Sequence, residues 1–538
     1  MMKSIIRAVL AAALVLSAGL AAPGRDSCAA VYYVDPVGGD DAGPGLAQDR
    51  AWQHLPGSYR NDNRGYIAAP GWTKIEAGDV IKIKSGSTIT NKLLVGPDWY
   101  ANGTPSAPIR ITRDPEWGSG PVTFDGCSQA LARYDPMFFV WRRDYVIVDG
   151  ATPAGFCIQN SRSRGFQATG ASEAVKMAGL VVKNMKVFNS IEFNVNVQRS
   201  DNFLFEDVEI DGNRQNGSFS GGFMIGDNTY GCSNGRVIGC RSYNNGDVPG
   251  TSAGGTNTWI GFWVTNSTGI TFKRCSAHHN KGNGFDAGVV SDPPSVVTDM
   301  IKYIDCEAHD NSNGFSCNLD DIGGTARFWY INCIARANGA GWTIYQGPSA
   351  CVYNCLTALN TWGIYIDAPP FRNRQTVVDI KNTIFYRNDR ANPNTSHPWD
   401  LWTHQTASLV LASDYNLFEE RRAPGRAPQA TCIGWNGAEV SDAYRYDAAS
   451  APGSRTRTWH KNHGQDAHSL CSVDGRRARF ASAASKDYRP TARSSLIGKG
   501  LPIDDPLIPE IYRDRDGRTR PASDPWDIGP YAYAPRRR

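Results

Sequence analysis

Beyond its first thirty residues, this 538-residue chain has no apolar run long enough to cross a bilayer. It also lacks any stretch with helical periodicity over three turns, which excludes long amphipathic helices. The formal charge is only +4, and such a balance does not predict binding to nucleic acid. No nucleotide-binding glycine loop, zinc-ligand spacing or Ser-His-Asp arrangement is present.

The first 30 residues have the pattern of a secretory signal peptide. Lys3 and Arg7 precede an apolar run from Ala8 to Ala22, and small residues follow at the end of this segment. There is no lipobox, because Arg-Asp-Ser precedes Cys28. We therefore expect a soluble, monomeric protein that is secreted or periplasmic, without a membrane partner.

What the sequence does contain is a series of short strands separated by turns. From Asp79 onward, β-branched and aromatic residues alternate with polar ones or form short apolar runs, and Gly, Asn, Asp or Pro follows each run. Val80–Ile83 and Tyr145–Val148 are examples. The pattern predicts a chain that is nearly all β.

A cysteine followed five residues later by an asparagine occurs five times between residues 240 and 360. The cysteines lie 35, 31, 27 and 22 residues apart, so the coils would stack and the variable part of each would be a loop. We interpret the cysteines as a buried column of free thiols. The asparagines fit a repeated turn, because asparagine tolerates the left-handed conformation and stacked amides can hydrogen-bond along the axis. The pairs are Cys240/Asn245, Cys275/Asn280, Cys306/Asn311, Cys333/Asn338 and Cys355/Asn360.

Six coils can be aligned on a glycine followed by an apolar residue, namely Gly222-Phe223, Gly261-Phe262, Gly284-Phe285, Gly314-Phe315, Gly341-Trp342 and Gly363-Ile364. Alternate residues of a strand face opposite sides. The apolar residue and the one two positions later are therefore predicted to face the core. The residue between them would face outward, which gives the set Met224, Trp263, Asp286, Ser316, Thr343 and Tyr365.

Cysteines outside the repeats have a different interpretation. In an oxidising compartment, Cys127 with Cys157 and Cys432 with Cys471 are plausible disulfides that would close loops.

These features resemble the right-handed parallel β-helix proteins of the pectate-lyase-like superfamily. Tyr32 to Pro36 looks like their N-terminal strand, and Trp526 to Tyr531 is similar to their closing segment. The resemblance implies an all-β, single-stranded right-handed parallel β-helix. We expect a signal peptide at 1–30, an N-terminal strand and cap at 31–78, helix coils at 79–390, and terminal irregular coils with a covering segment at 391–538.

Within that superfamily, the block from Cys275 to Asp286 is similar to the family 9 polysaccharide lyases. In that family two acidic residues before the Gly-Phe step and one after it bind calcium, and a lysine in the next coil removes a proton. Asp286 matches one calcium ligand, whereas Gly282 and Asn283 occupy the positions of the acidic pair. Ser316 stands where the lysine would be. The resemblance therefore implies the fold more strongly than the usual lyase chemistry.

The outward positions suggest a site for an acidic polymer. Asp286, Asp320 and Asp321 would follow the same strand of consecutive coils, and clustered oxygen ligands are what calcium requires. Trp263, Tyr345 and Tyr365 would lie on the same face with Asn318, where aromatic rings suit stacking on sugars. The alternatives are that the aspartates form a solvated turn and that the aromatics cover the base of a loop.

Lys281, His309 and Arg327 are the candidate catalytic residues, and we expect all three near the face that carries Asp286. Lys281 is preferred, because it precedes the step that leads to Asp286. A base and a cation that neutralises the carboxylate are what β-elimination of a uronate requires.

The resulting prediction is a polysaccharide lyase that cleaves an anionic, uronic-acid polysaccharide by calcium-assisted β-elimination. A C5-epimerase, a glycoside hydrolase with paired carboxylates and a non-catalytic exopolysaccharide-binding protein remain as alternatives.

Overall fold

The computed structural model describes residues 29–60, 65–128, 135–212, 221–227, 229–246, 259–288, 298–318, 326–369, 375–388, 399–419, 433–435, 459, 463–471 and 476–535. The predicted signal peptide thus lies outside the described residues, apart from its last two positions. In the described part, no helix has the length and apolar character needed to cross a membrane.

Three long parallel sheets organise the molecule, and the chain visits them in turn. Sheet I contains β1 (Val31–Val34), β2 (Val80–Ser85), β5 (Ile109–Gly118), β8 (Val146–Asp149), β12 (Val181–Lys183), β16 (Leu204–Glu206), β19 (Arg236–Ile238), β22 (Thr271–Lys273), β25 (Ile301–Ile304), β28 (Arg327–Ile331), β31 (Ser349–Tyr353), β34 (Thr376–Lys381) and β37 (Leu409–Asp414). Sheet II contains β3 (Thr88–Ile89), β6 (Val122–Asp125), β9 (Phe156–Gln159), β13 (Met185–Phe188), β17 (Glu209–Asp211), β20 (Arg241–Tyr243), β23 (Ser276–His278), β26 (Glu307–His309), β29 (Ile334–Arg336), β32 (Leu356–Ala358), β35 (Ile384–Tyr386), β38 (Leu417–Glu419) and β40 (Leu470–Cys471). Sheet III contains β4 (Leu93–Val95), β7 (Pro136–Trp141), β10 (Arg164–Thr169), β14 (Phe193–Gln198), β18 (Gly221–Ile225), β21 (Ile260–Thr265), β24 (Phe285–Gly288), β27 (Asn313–Asn318), β30 (Ala340–Tyr345), β33 (Trp362–Asp367), β36 (Trp399–Thr403) and β39 (Ile433–Gly434).

Smaller elements complete the described part. The strands β11 (Met177–Ala178) and β15 (Ser200–Asp201) pair in parallel, and β41 (Phe480–Ser482) and β42 (Asp487–Pro490) form an antiparallel pair near the C-terminus. Short 3-10 helices occur at Gln48–Arg50, Gly126–Ser128 and Pro509–Tyr512.

The prediction of a single-stranded right-handed parallel β-helix is confirmed. Each coil passes through sheets I, II and III, and equivalent strands of successive coils pair in parallel, as in β24 with β27 and β27 with β30. Parallel crossovers are right-handed because strand twist favours that hand. Strands of all three sheets continue beyond residue 390.

The register predicted from the Gly-apolar step is also confirmed. Phe285 pairs with Phe315, and Phe315 pairs with Trp342, while the outward residues pair with one another in the same order. The inward rings stack along the axis, with centroids 4.9 Å apart for Phe285–Phe315 and 5.2 Å for Phe315–Trp342. Such stacks combine burial of large apolar surfaces with favourable ring geometry, so they form the centre of the core.

The repeat cysteines are buried free thiols, as predicted. Cys355 donates to the Tyr330 carbonyl at 3.3 Å, and Thr383, which follows it in the column, donates its hydroxyl to Val352 in the same way at 3.2 Å. Burial raises the pKa of the Cys275 and Cys333 thiols, so they remain protonated donors.

The predicted disulfide between Cys127 and Cys157 is wrong, because both thiols are free. Cys127 follows the end of β6, whereas Cys157 lies within β9 beside Thr123. The predicted partner of Cys471, Cys432, lies outside the described residues.

The asparagines form a buried ladder along the turn between sheets II and III. The Asn280 side-chain amide donates to Oδ1 of Asn311 at 2.9 Å, and that of Asn311 donates to Oδ1 of Asn338 at 3.1 Å. The ladder extends to Asn388. The left-handed conformation, however, belongs to the residue before each ladder asparagine, for example His279 at φ 54° and Asp310 at φ 55°. Asparagine is therefore required here for its hydrogen bonds and not for its backbone conformation.

The ladder also explains the glycine of the Gly-apolar step. A Cβ atom on Gly284 would lie 2.8 Å from the Asn311 amide nitrogen and 2.8 Å from the Gly314 carbonyl. A side chain at this position would therefore push against buried groups that have no room to move.

The C-terminal segment covers the outward surfaces of sheets I and II in the second half of the solenoid. Ile508, Ile511 and Trp526 contact Trp329 and Tyr353 of sheet I. Tyr488, Leu496 and Ile528 contact the outward side of sheet II, including Leu356 and Ile384. Among the described residues, these contacts of the C-terminal segment involve sheets I and II.

We expect Asn311→Ala to lower the free energy of unfolding by about 3 kcal/mol, because it leaves the buried backbone N–H and amide of Asn280 without their common acceptor. Chemical denaturation followed by circular dichroism measures the change. Ser312→Ala, at the exposed neighbouring position, is the control and should change stability by less than about 0.5 kcal/mol. Equal effects of the two substitutions would contradict the structural role of the ladder.

A second expectation concerns Asp305, whose carboxyl lies beneath the C-terminal segment. Burial raises its pKa to about 6, although the Asn332 amide and Arg515 oppose the shift. A pKa above the unfolded value means that the native state is favoured by protonation, so stability falls as pH rises from about 4 to about 6. Asp305→Asn should remove this loss and stabilise the protein at pH 7 by about 1–2 kcal/mol.

Asparagine suits this position because it tolerates the left-handed backbone conformation of Asp305, which has φ 55°. In the following coils the same turn position is asparagine, with φ values of 53–54° at Asn332, Asn354 and Asn382. The thermal midpoints of the variant and the natural protein should differ most at pH 7 and become equal as the pH falls to 4. Asp207→Asn, at an exposed turn position, is the control. A variant less stable than the natural protein at pH 7 would contradict the assignment.

Candidate functional site

The long connections of the central coils border sheet III. Between sheets I and II the chain needs only two residues, as at residues 305–306 between β25 and β26. By contrast, residues 212–220 and 244–259 precede strands of sheet III, and residues 289–300, 319–326 and 368–375 follow them. Insertions are tolerated where the stacked backbone is not interrupted. Sheet III is consequently the surface that variable segments surround.

Outward side chains of sheet III form a continuous column across successive coils. The order is Met224, Trp263, Asp286, Ser316, Thr343, Tyr365 and Trp402. Although Trp263, Asp286 and Thr343 point away from the core, only 7%, 9% and 2% of their surfaces are exposed. These three positions are therefore recessed, and Trp263 packs in a buried apolar cluster with Phe193, Met224 and Ile260, whereas Tyr365 is half-buried.

Asp286 is held by a short chain of amides. The Asn313 amide donates to Oδ1 of Asn283 at 2.8 Å, and the Asn283 amide donates to Oδ2 of Asp286 at 3.0 Å. Asn283 is itself buried. The arrangement fixes one carboxylate oxygen and orients the other, as a buried carboxylate requires.

Aromatic rings concentrate toward the C-terminal end of the same face. Tyr365 lies between Trp362, at 5.2 Å, and Tyr345, at 5.8 Å between centroids. One coil further on, the rings of Trp399 and Trp402 lie 4.3 Å apart. Planar apolar surfaces edged with hydroxyl and N–H groups suit the faces of sugar rings.

The two tyrosines are hydrogen-bond donors at neutral pH. Burial, reinforced by the negative charge of Asp367, raises the pKa of Tyr365 to about 12. Burial also raises the pKa of Tyr345, with added contributions from Asp367 and Asp286. Both phenols are therefore protonated near neutral pH.

Fixed positive charge is missing from this part of the sheet. The strands of sheet III from β14 to β36 contain no lysine or arginine. The nearest guanidinium on an earlier strand, that of Arg164, lies 3.3 Å from Glu192 and donates to Asn196 at 3.1 Å. An anionic ligand on the central face would therefore need a cation from elsewhere.

The three candidate catalytic residues do not share one face, which corrects the expectation that they do. His309 points outward from sheet II, where it stacks on His278 at 4.7 Å. Arg327 begins a strand of sheet I, and its guanidinium pairs with Asp299 at 2.7 Å. Lys281 lies in the turn before β24 at the edge of sheet III, with Nζ 5.3 Å from the Trp259 ring. The coil passes through three faces, so residues close in sequence can point in different directions.

The substrate-binding candidates fit sheet III. Trp263 and Tyr365 belong to the outward column, and Asn318 pairs with Tyr345 in the neighbouring column of the same face. Asp320 and Asp321 lie outside the described residues. Their predicted role stays a prediction.

The described residues meet the chemistry of a calcium site only in part. Asp286 on β24 pairs with Ser316 on β27, and Asn318 lies two residues after Ser316 on the same strand. A carboxylate, a hydroxyl and an amide oxygen therefore lie on two adjacent strands. Oxygen ligands suit calcium, but the ion takes six to eight of them. These three residues do not complete its shell.

Several residues of the face were missed from the sequence. Asn283 was seen only as a replacement for an acidic residue, whereas it orients Asp286. Trp402 continues the outward column, and His404 contacts Asp367 at 3.3 Å. Extending the alternation beyond residue 390 would have found Trp402.

The comparisons with known proteins give likenesses of structure. No protein-family model matches the chain, and a search of curated proteins gives no significant match. Pectate lyase Pel9A is similar with 16% identity over 94% of this chain and 97% of that chain, at a TM-score of 0.46. A rhamnogalacturonan lyase has 16% identity over 85% and 92%, with a TM-score of 0.40. XylC in complex with xylose has 9% identity over 94% and 98%, with a TM-score of 0.44. At these identities the likeness concerns the fold, which the sheet topology establishes independently.

Proposed function

We propose that this protein is an exported carbohydrate-active enzyme that binds a polysaccharide along sheet III. The observation that carries the proposal is the outward column from Trp263 to Tyr365, in which aromatic, carboxylate and hydroxyl side chains are recessed although they point away from the core. A groove with apolar ring surfaces and a few oriented polar groups is suited to extended sugar chains.

For the reaction, we propose β-elimination within a uronic-acid polymer. The central face has oxygen ligands and no fixed cation, so a divalent ion is the partner that would suit both this face and an acidic sugar. Asp286, with Asp320 and Asp321, would hold calcium. When bound, calcium would neutralise the uronate and make its α-proton more acidic.

The residues of this chain would then position the sugar and accept the proton. Tyr345 and Tyr365 would stack on the ring and donate hydrogen bonds, because their phenols stay protonated. Lys281 is the proposed base, since it lies at the edge of the same sheet. Asn283 would keep Asp286 in its orientation.

A neutral polysaccharide is the competing substrate. The sheet III strands from β14 to β36 contain no lysine or arginine, and aromatic rings cluster around Tyr365. Both features suit uncharged sugar rings as well as they suit a uronate bound through calcium. On such a substrate the enzyme would be a glycoside hydrolase.

The first test uses a panel of uronic-acid and neutral polysaccharides. We expect the natural protein to produce unsaturated ends, seen by ultraviolet absorbance, from at least one uronic-acid polymer, and chelation to reduce the rate at least tenfold until calcium is restored. Asp286→Asn should lower kcat/KM at least 100-fold without changing the thermal midpoint. Glu206→Gln, which alters a carboxylate of sheet I paired with Lys183, should have no such effect.

Other products would point to the alternatives. New reducing ends without unsaturation would indicate a hydrolase, and altered sugar stereochemistry without chain cleavage would indicate an epimerase. Retention on a polymer that is never altered would indicate a binding protein. No binding and no product on any polymer would overturn the proposal.

A second test addresses stacking at Tyr365. Tyr365→Ala should raise KM about tenfold, whereas Tyr365→Phe should stay within about threefold of the natural enzyme, because the ring is retained. Steady-state kinetics on the polymer found above measures the difference. If Phe and Ala lower activity equally, the hydroxyl and not the ring is what the substrate requires.

A further inference from the structure

Three imidazoles and a carboxylate meet where sheet II leads into the turn toward sheet III, the turn that also holds Lys281. His278 and His309 pair in register on β23 and β26, and His279 and Asp310 are the next residues of the two coils. Three of the nine histidines of the chain are thus brought together at one place. His278 and His279 are neighbours in sequence, but only the stacking of coils brings His309 to them.

The geometry of the rings is favourable for metal ligation. The His309 ring stands nearly perpendicular to that of His279, at 84° and 5.7 Å, so the two do not shield one another's edges. One ligand atom each from His279, His309 and Asp310 lies within 4.8 Å of the others. Two nitrogens on one tetrahedral zinc ion are about 3.4 Å apart. Rotation of the exposed His279 ring would have to bring its nitrogen closer, and this rotation would break the 2.9 Å contact between Nδ1 of His279 and Nδ1 of His278.

The neighbouring groups hold this cluster in place. Tyr243 stacks on His278 at 4.7 Å, and His278 stacks on His309 at the same distance. The Asp310 carboxylate accepts a hydrogen bond from Nδ1 of His309 at 2.9 Å. Because these two atoms lie closer together than two ligand atoms on one zinc ion, a metal would replace the shared proton and bind both of them.

The charges around the cluster are of both signs. Arg336 pairs with Glu307 at 2.8 Å and Arg241 pairs with Glu209 at 2.6 Å. Glu307 also pairs with Arg515 at 3.5 Å and Glu209 also pairs with Lys186 at 2.9 Å, so each glutamate compensates its arginine only in part. Asp310 supplies the negative charge that a metal with neutral imidazole ligands needs.

We propose that His279, His309 and Asp310 form a binding site for a transition-metal ion such as Zn²⁺, which joins two successive coils. Nitrogen ligands favour zinc, nickel or copper, whereas calcium takes oxygen ligands. The site is therefore chemically distinct from any calcium site on sheet III. Binding to the folded protein alone would raise its stability in proportion to metal concentration.

The test measures metal binding by calorimetry on the full chain without a polyhistidine tag, after chelator treatment. A Cys127→Ser background removes the exposed thiol, which could bind zinc itself. We expect about one Zn²⁺ per chain with micromolar affinity, a rise of a few degrees in the thermal midpoint, and no competition by Ca²⁺. The combined change His279→Asn and His309→Gln should weaken Zn²⁺ binding at least tenfold.

The variants are chosen so that the turn is preserved. Asparagine already occupies the place of His279 one coil earlier, as Asn244 with φ 59°. Without metal, the variant should melt within a few degrees of the natural protein. His468→Asn alters another exposed histidine that contacts a carboxylate, Asp414 at 2.7 Å, and should leave zinc affinity unchanged. Failure of the natural protein to bind zinc, or equal binding by the double variant, would overturn the proposal.

Discussion

The hydrogen-bonded asparagine ladder is the interaction on which the rest of this structure depends. Its amides link the coil of Asn245 to those of Asn280, Asn311, Asn338, Asn360 and Asn388. Each rung satisfies a buried backbone N–H of the coil before it, as Asn311 does for Asn280. An error of one residue in the stacking would leave these groups unpaired at a cost of about 1–3 kcal/mol each, so the ladder specifies the register.

A fixed register has consequences on both sides of the ladder. On the sheet III side, close approach of the amides requires glycine, and the following residue then points inward, which places Asp286 and Tyr365 in one outward column. On the sheet II side, the same stacking aligns His278 with His309. The outward column of sheet III and the proposed metal site are therefore two results of one constraint, while their chemistry differs.

The long connections are distributed unevenly among the three faces. From β16 to β38, two-residue turns join sheets I and II, and the C-terminal segment covers those sheets in the later coils. Sheet III keeps long connections at both edges. A scaffold whose stability resides in stacked coils can change these connections without losing the core. The long connections therefore adjoin the ends of sheet III strands and leave the stacked core uninterrupted.

The sequence alone determined the solenoid, the strand register and the inward aromatic stack, because these follow from a local repeat and the two-sided nature of a strand. It correctly placed Trp263, Asp286 and Tyr365 outward. It did not determine which of three faces each outward residue belongs to, so His309 and Arg327 were grouped with Asp286 although they lie on sheets II and I. It also found no metal-ligand spacing, since His279 and Asp310 become neighbours only through the stacking of coils. Tertiary structure decided both points, because a coil turns the chain through three directions and sequence separation does not measure distance across stacked coils.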